Sequence, residues 1–316
     1  MQNHDPWNPL TYAQETVDAE SRELNQSIIK TMAAARPGHE LTPEESRASR
    51  ARGRGPLGPV VYSDMAKTRT IAGPAGPLTL RIFAPDKIEG IYFHIHGGGW
   101  VVGSADGQDK MLEDIANNCN LAVVSVDYRL APENPYPAGP DDCEAAALWL
   151  AQYAKREFGS EKIFIGGESA GGHLSAVTVL RMRDRHGYTG FAGANLVYGV
   201  FDLGMTPSAA NWGSEPLILT TPAMQWCINH FVTPDKVRLP DVSPLYADAS
   251  NLPPALFTIG TADLLRDDSL FMYARWIAGG NRAELAVYPG GAHGFTLLPA
   301  QLGRSARARC EEFLRG

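Results

Sequence analysis

The strongest constraint on the fold is an alternation of short apolar segments with helical ones, which starts near residue 78 and continues to the C-terminus. The apolar pattern predicts strands at residues 78–83, 90–95, 121–126, 162–165, 194–200, 255–259 and 283–288. Helices are predicted at residues 111–118, 141–153, 172–185 and 268–277 and at the C-terminus. Apolar strands that alternate with helices form a mostly parallel sheet covered by helices on both faces. We therefore predict an α/β fold with a sheet of about eight strands.

The N-terminal part of the chain has a different pattern. Residues 11–35 carry apolar side chains at helical spacing, which predicts one long helix. Thr42 followed by Pro43 and two glutamates is typical of an N-cap, so a second helix is expected to begin there. The run of residues 53–59 is dense in glycine and proline and is predicted to be a linker.

One later segment also interrupts the alternation of strands and helices. Residues 202–252, here called the insertion segment, are too long for an ordinary connection and contain an apolar helix near residues 222–231. An insertion after a strand of a parallel sheet lies at the end where ligands bind. We therefore expect residues 1–60 and 202–252 to form a helical cap. The catalytic domain is then predicted to consist of residues 61–201 and 253–316.

A serine between glycines follows the predicted strand at residues 162–165. The sequence Gly167-Glu168-Ser169-Ala170-Gly171 lies between a strand and a helix, which is the context of a nucleophile elbow. Glycine residues permit the tight turn that such an elbow requires. The strained turn exposes the serine hydroxyl at the N-terminus of the helix. A simple glycine turn is the alternative interpretation, but the flanking elements favour Ser169 as a nucleophile.

A second glycine-rich motif follows the strand at residues 90–95. His96-Gly97-Gly98-Gly99 would let backbone N–H groups approach a substrate oxygen without obstruction. We predict an oxyanion hole formed by Gly98, Gly99 and the N–H of Ala170, which would stabilise a tetrahedral intermediate.

The partners of Ser169 are predicted from their place after the last strands. His293 follows the strand at residues 283–288 and is flanked by glycines, so it is the candidate base. Asp263 is the first carboxylate after the strand at residues 255–259, whereas Asp267 and Asp268 are typical of a helix start. The resulting chain order of serine, aspartate and histidine is that of the α/β-hydrolase triad.

Three other histidines have structural interpretations. His94 is predicted to be a packed core residue in its strand. His96 is expected to hold the glycine motif by hydrogen bonds. His173 lies one turn after the serine and is expected to cap or brace that helix.

Several motifs in this order resemble the hormone-sensitive lipase-like (bacterial family IV) esterases. They are His96-Gly97-Gly98-Gly99-Trp100, Asp127-Tyr128-Arg129-Leu130-Ala131-Pro132-Glu133, the pentapeptide around Ser169, Leu252-Pro253-Pro254-Ala255 and His293-Gly294-Phe295. The resemblance runs from about residue 79 to the C-terminus and is weakest in the insertion segment. It implies an α/β-hydrolase fold with a cap over the active site.

The resemblance also implies hydrolysis of esters with short to medium acyl chains and no cofactor. It assigns the triad to Ser169, Asp263 and His293, and the oxyanion hole to Gly98, Gly99 and Ala170. Two positions differ from the family pattern: Glu168 stands where aspartate is frequent, and Leu264 stands where proline commonly follows the acid.

The functional hypothesis is a serine carboxylesterase that works through an acyl-enzyme, with a small-molecule ester as substrate. Trp100 and Phe201 are predicted to line the substrate pocket. An amidase, deacetylase or lactone hydrolase would use the same site, so these reactions remain alternatives. A receptor for a small ligand, built on an esterase fold, is the alternative outside enzymes.

Charge and cysteine content bear on partners and location. The formal net charge is −7, which argues against nucleic acid and anionic membranes as partners. A small basic cluster is interpreted as a solvated segment; its members are Arg47, Arg50, Arg52 and Arg54. The four scattered cysteines show no metal-ligand spacing, so reduced thiols are expected.

The N-terminal residues and the length of the apolar stretches bear on secretion and membrane insertion. The polar N-terminal ten residues lack the pattern of a signal peptide, and no apolar stretch is long enough for a membrane span. Together with reduced thiols, this favours a cytoplasmic protein. By analogy with the family, a homodimer formed through an edge strand is possible.

Overall fold

A central sheet with helices on both faces organises the catalytic part of the chain. The structure is a computed structural model that describes residues 8–54 and 58–316. The strands are β1 (Lys67–Gly73), β2 (Gly76–Phe83), β3 (Gly90–Ile95), β4 (Leu121–Val126), β5 (Ile163–Glu168), β6 (Phe191–Val197), β7 (Ala255–Ala262) and β8 (Ala283–Ala292). The helices are α1 (Ala19–Ala33), α2 (Pro43–Ala51), α3 (Asp109–Cys119), α4 (Ala138–Phe158), α5 (Ala170–His186), α6 (Pro207–Asn211), α7 (Thr221–Phe231), α8 (Arg266–Ala278) and α9 (Gln301–Arg315).

The strand order is β1-β2-β4-β3-β5-β6-β7-β8. The β1–β2 and β2–β4 pairs are antiparallel, and the pairs from β4 through β8 are parallel. The central strands are buried along their whole length because both faces are covered. This confirms the predicted α/β-hydrolase fold with its mostly parallel sheet.

Neighbouring residues of one strand pack into different layers of the core. Tyr92 of β3 packs with side chains of α3 and α9, whereas Phe93 packs with those of α4 and α5. Successive side chains of a strand point to opposite faces, so both residues of such a pair must be apolar when helices cover both faces. This requirement explains the continuous apolar runs in the sequence.

Strand β1 was missed because it has little apolar pattern. It lies at the edge of the sheet, and Ile71 is its one buried residue. A polar sequence suits an exposed edge, since charged side chains there discourage pairing with other chains. Helix α6 was also missed, because its five residues are too few to show periodicity.

Two helices begin three or more residues away from their predicted starts. The prediction of one helix over residues 11–35 is wrong at its start: two short 3₁₀ turns precede α1, which begins after the N-cap Asp18. The Asp18 side chain accepts from Ser21 N–H at 2.7 Å. Helix α4 begins at Ala138, before the predicted residue 141, since a proline is tolerated in a first turn.

The start of α2 is the predicted one. Thr42 and Glu45 form a capping box, in which each side chain accepts from the backbone N–H of the other residue. Residues 1–7 and 55–57 lie outside the described residues. The structure therefore does not bear on the prediction for the first residues of the chain or on the middle of the predicted linker.

The basic cluster is not a uniformly solvated segment, and that interpretation is wrong for Arg47. Its guanidinium forms a bidentate ion pair with Glu133 at 2.7 Å and also donates to the carbonyl oxygens of Val101 and Ala131. Arg50, one turn further along α2, is half-buried, whereas Arg52 and Arg54 are exposed. Arg47 therefore attaches α2 to loops that follow β3 and β4.

Elements from the N-terminus and from the insertion segment meet near the end of β8. Ile28 of α1, Leu217, Ala292 and Leu298 form a small buried cluster. Asn25 of α1 donates to the Gly290 carbonyl at 2.8 Å. Within the described ranges, no helix has both the length and the apolar composition needed to cross a membrane.

A buried arginine connects α5 to α4 and to the insertion segment. Arg181 is 3% exposed, and its guanidinium contacts Asp241 twice at 2.6 Å, Asp141 at 2.8 Å and Glu144 at 3.0 Å. Tyr136 also donates to Asp241, at 2.7 Å. The three carboxylates have replaced the water that would otherwise solvate this cation, so its removal leaves negative charge with fewer partners.

Replacing Arg181 by methionine is expected to lower the free energy of unfolding by about 3–5 kcal/mol, because it breaks a buried ion network on one side. Urea denaturation followed by circular dichroism measures the change. The matched control is Arg185→Met: Arg185 contacts Glu144 and Asp241 too, but its side chain is 46% exposed, and a loss below about 1 kcal/mol is expected. Equal losses in the two variants would contradict this account of Arg181.

Candidate active site

Four parallel strands end at one edge of the sheet, and a polar residue follows each. Strands β3, β5, β7 and β8 are followed directly by His96, Ser169, Asp263 and His293. The carboxyl ends of parallel strands form the usual ligand-binding edge of an α/β sheet. Residues that are far apart in the chain are therefore neighbours at this edge.

Ser169 has the strained backbone of a nucleophile elbow. Its φ is 58° and its ψ is −120°, a region that residues with side chains rarely occupy. A Cβ atom at either Gly167 or Gly171 would collide with the carbonyl oxygen of Ile95 at the end of β3. Both positions must therefore be glycine, because the turn around Ser169 approaches β3 closely.

The hydroxyl, the imidazole and the carboxylate that the sequence singled out lie in hydrogen-bonding contact. Ser169 Oγ is 2.9 Å from His293 Nε2, and His293 Nδ1 is 2.9 Å from Asp263 Oδ2. Asp263 is 1% exposed and its Oδ1 accepts from Leu265 N–H at 2.9 Å. The edge of the Tyr198 ring contacts the imidazole, with ring centroids 5.0 Å apart.

The two competing carboxylates have other partners. Asp268 accepts from Phe201 N–H at 2.7 Å and from Asp202 N–H at 2.9 Å. Asp267 accepts from Ser208 N–H at 2.8 Å. Among these three aspartates, Asp263 is the one that contacts His293.

Residues 96–100, here called the glycine loop, lie beside the elbow. Gly98 and Gly99 have φ values of 121° and 58°, which side chains disfavour. A Cβ atom at Gly97 would lie 2.6 Å from the Glu168 carbonyl oxygen. Within residues 8–54 and 58–316, the N–H groups of Gly98 and Gly99 donate no hydrogen bond. Both glycines are partly exposed, whereas Ala170 at the start of α5 is buried.

A thiol of the insertion segment packs on this loop. Cys227 of α7 lies so close to Gly99 that a Cβ atom there would collide with its sulfur. Burial raises the pKa of Cys227 to about 12. The thiol is therefore protonated near neutral pH, and a protonated thiol is a poor nucleophile.

The two predicted pocket residues lie in the core. Trp100 is 1% exposed and stacks on Phe231, with ring centroids 4.6 Å apart. Phe201 is fully buried and contacts Phe257. Their contact with a substrate stays a prediction.

His96 and His94 both stabilise the elements that carry the site. His96 Nδ1 is 2.9 Å from the Gly97 carbonyl oxygen, and its ring stacks on Tyr128. Burial lowers the pKa of His96 to about 3, so its imidazole is neutral. His94 is fully buried, with Nδ1 2.9 Å from Ser125 Oγ and Nε2 3.1 Å from Glu168 Oε2.

Sequence reasoning missed the contact of His94 with Glu168, the residue that precedes Ser169. Gln108 also donates to Glu168, at 3.1 Å. A glutamate and a histidine in otherwise apolar strands are signals of a buried polar pair, since such groups are seldom buried unpaired. Within the described parts of the chain, no cluster of three or more His, Cys, Asp or Glu side chains could hold a metal ion.

The sequence matches one family model and many curated proteins. Residues 92–297 match a family described as alpha/beta hydrolase fold. The carboxylic ester hydrolase LipN of Mycobacterium tuberculosis is 32% identical over 81% of this chain and 70% of its own length. The ethyl acetate hydrolase of Pseudomonas putida is 31% identical over 69% of this chain and 71% of its length.

Solved structures show the same architecture. The hyperthermophilic esterase of the archaeon Pyrobaculum calidifontis is 30% identical, with a TM-score of 0.83 over 93% of this chain and 97% of that one. The metagenomic carboxylesterase EstE1 is 30% identical, with a TM-score of 0.80 over 87% and 97% of the two chains. The family match, the relatives and the strand order agree: this chain belongs to the α/β-hydrolase fold family, in its hormone-sensitive lipase-like branch.

Proposed function

We propose that this protein is a serine carboxylesterase that uses Ser169, His293 and Asp263. The observation that carries the proposal is the continuous contact from Ser169 Oγ through the imidazole to Asp263, with both distances at 2.9 Å. A serine hydroxyl is a weak nucleophile until a base removes its proton. The relatives named as ester hydrolases support esters as the substrate class.

The hydrogen-bond donors and acceptors define the roles of the imidazole. A carboxylate only accepts, so His293 Nδ1 carries the proton that it donates to Asp263. Nε2 is then free to accept the Ser169 proton as the hydroxyl attacks the ester carbonyl. Asp263 orients the ring and stabilises the imidazolium that forms.

The first intermediate carries negative charge on the former carbonyl oxygen. We propose that the N–H groups of Gly98, Gly99 and Ala170 bind it. His293 then gives its proton to the leaving alcohol, and the acyl group stays on Ser169. A water molecule that gives a proton to His293 attacks the acyl-enzyme. The bond between the acyl carbon and Ser169 Oγ then breaks, His293 returns the proton to Oγ, and the acid is released.

The substrate class is proposed to be esters with short to medium acyl chains. Cys227 packs directly on Gly99, so α7 lies next to the glycine loop. The complete and connected set of three side chains favours catalysis over a receptor role. Trp100 and Phe201 are proposed to shape the pocket from behind, since both are buried.

We also propose that residues 1–60 and 202–252 form a cap on a catalytic domain of residues 61–201 and 253–316. Support comes from the small buried cluster that contains both Ile28 and Leu217, one residue from each part of the proposed cap. The 3₁₀ turn Gly38–Glu40 also packs on α7.

Two parts of the proposal concern the setting of the enzyme. The strand β8 ends the sheet, and an edge strand can pair with a second copy, which supports a homodimer.

All four cysteines are free thiols, which supports a reducing compartment such as the cytoplasm.

Hydrolysis of p-nitrophenyl esters from acetate to palmitate tests the proposed activity. We expect the highest kcat/KM on short chains and no measurable turnover for Ser169→Ala, because among residues 8–54 and 58–316 no other hydroxyl contacts His293 Nε2. Asp263→Asn is expected to lower kcat about 10⁴-fold, since the wrong imidazole tautomer is stabilised. Asp267→Asn is the matched control and should keep wild-type rates. Turnover that survives in Ser169→Ala would refute the assignment of the nucleophile.

The role of the glycine loop is tested at Gly99. We expect Gly99→Ala to lower kcat about 10²-fold or more, because it displaces a proposed oxyanion donor. The methyl group requires movement of Cys227 and a strained positive φ. Gly38→Ala is the control, since its Cβ atom would meet nothing within 4 Å. Unchanged kcat in Gly99→Ala would contradict an oxyanion hole at this loop.

A further inference from the structure

Trp100 has an unusual backbone conformation for a large side chain. Its φ is 61°, and it directly follows two glycines that also have positive φ. A bulky residue in the left-handed region is rare and persists only when its surroundings hold it there. The contacts of the Trp100 side chain therefore help to fix the backbone of the glycine loop.

The indole of Trp100 is held on two sides. Its Nε1–H donates to His173 Nδ1 at 3.0 Å. Its ring stacks on Phe231 of α7, with an angle of 14° between the planes. Because Trp100 is 1% exposed, neither contact competes with bulk water.

The state of His173 follows from its two partners. His173 Nε2 lies 2.8 Å from the Val242 carbonyl oxygen, which can only accept, so Nε2 carries the hydrogen. Nδ1 is then an acceptor and is matched to the indole N–H of Trp100. Burial lowers the pKa of His173 to about 4, so the imidazole is neutral near pH 7.

His173 is also tied to the nucleophile. It lies in the first turns of α5, where its backbone N–H donates to the Ser169 carbonyl oxygen at 3.1 Å. Gly99 precedes Trp100 directly, and Ala170 follows Ser169 directly. A single side-chain hydrogen bond thus joins the two backbone segments that carry the proposed oxyanion donors.

We propose that His173 is a positioning residue that holds the glycine loop against α5 through Trp100, and so sets the spacing of the oxyanion donors. This inference rests on the proposed function. His173 does not touch the reacting atoms; it acts through the Trp100 indole. The Val242 carbonyl, from the insertion segment, fixes the tautomer that makes this contact possible.

The consequence is a specific kinetic pattern. Oxyanion donors bind charge that develops in the transition state, so a displaced loop weakens catalysis more than substrate binding. Without the His173 acceptor, we expect kcat to fall about 10- to 100-fold while KM changes less than about twofold. A general loss of folding would instead reduce the amount of active enzyme and leave the kcat of titrated sites unchanged.

Two isosteric variants separate the two hydrogen bonds of His173. In His173→Asn the amide oxygen can occupy the position of Nδ1 and accept from Trp100, while the contact with Val242 is lost. In His173→Gln the amide nitrogen can reach the position of Nε2 and donate to Val242, while the acceptor for Trp100 is lost. The proposal therefore expects a large fall in kcat for His173→Gln and a small one for His173→Asn.

Kinetics of p-nitrophenyl acetate hydrolysis, with active sites titrated by a fluorophosphonate, measure these effects. Thr178→Val is the matched control: Thr178 is buried in the same helix, and its hydroxyl donates to the Leu174 carbonyl at 2.7 Å. It should keep the wild-type kcat. Trp100→Phe keeps a ring on Phe231 but removes the indole N–H, so it should reproduce the loss, and adding His173→Gln to it should have no further effect.

A measurement independent of turnover completes the test. The Trp100 indole N–H, identified by its absence from the ¹H–¹⁵N spectrum of Trp100→Phe, should shift in His173→Gln and stay near its wild-type position in His173→Asn. If the wild type hydrolyses no ester but the indole signal still shifts in His173→Gln, the esterase proposal is refuted while the contact of Trp100 with His173 stands. An unshifted indole, or equal kcat in His173→Gln and wild type, would overturn the role of His173.

Discussion

The site depends on one close approach, between the carbonyl oxygen of Ile95 and the glycines on both sides of Ser169. A side chain at Gly167 or Gly171 would collide with that oxygen. With the glycines in place, β3 and β5 can pair up to Ile95 and Gly167, and the two motifs that follow these strands lie side by side. The strained conformation of Ser169 is the local result of this packing, and the sheet on either side stabilises it.

Pattern and local chemistry predicted the fold and singled out Ser169, His293 and Asp263, which are in contact in the structure, because short stretches of sequence carry both signals. Buried strands need apolar residues on both faces, which gives runs such as residues 121–126. An elbow needs glycines on both sides of Ser169. Strand order then brings Asp263 and His293 to the same edge, so their place in the chain suffices to select them. The capping box at Thr42 is likewise a local signal.

Contacts between distant segments have no such local signal. Arg47 is in a cluster of arginines that looks solvated, yet its partner Glu133 is 86 residues away. No local sequence pattern predicts the ion pair of Arg181 with Asp241 or the hydrogen bond of Trp100 with His173. Such polar pairs depend on which surfaces the fold brings together. The edge strand β1 also lacks a local signal, because an exposed strand requires no apolar pattern.

The arrangement of these distant contacts has a consequence for the cap. Arg47 attaches α2 to the carbonyl of Val101, the residue after the glycine loop. Cys227 and Phe231 of α7 pack on the loop itself, and the Val242 carbonyl orients His173 beneath it. The insertion segment thus contacts the glycine loop itself, and the N-terminal part of the proposed cap contacts the residue that follows the loop. The glycines of this loop have little intrinsic preference for one conformation, and the positive φ of Trp100 is disfavoured, so these contacts help to hold the loop in place. The elements proposed to cover the substrate therefore also contact the loop proposed to form the oxyanion hole, or the residue that follows it.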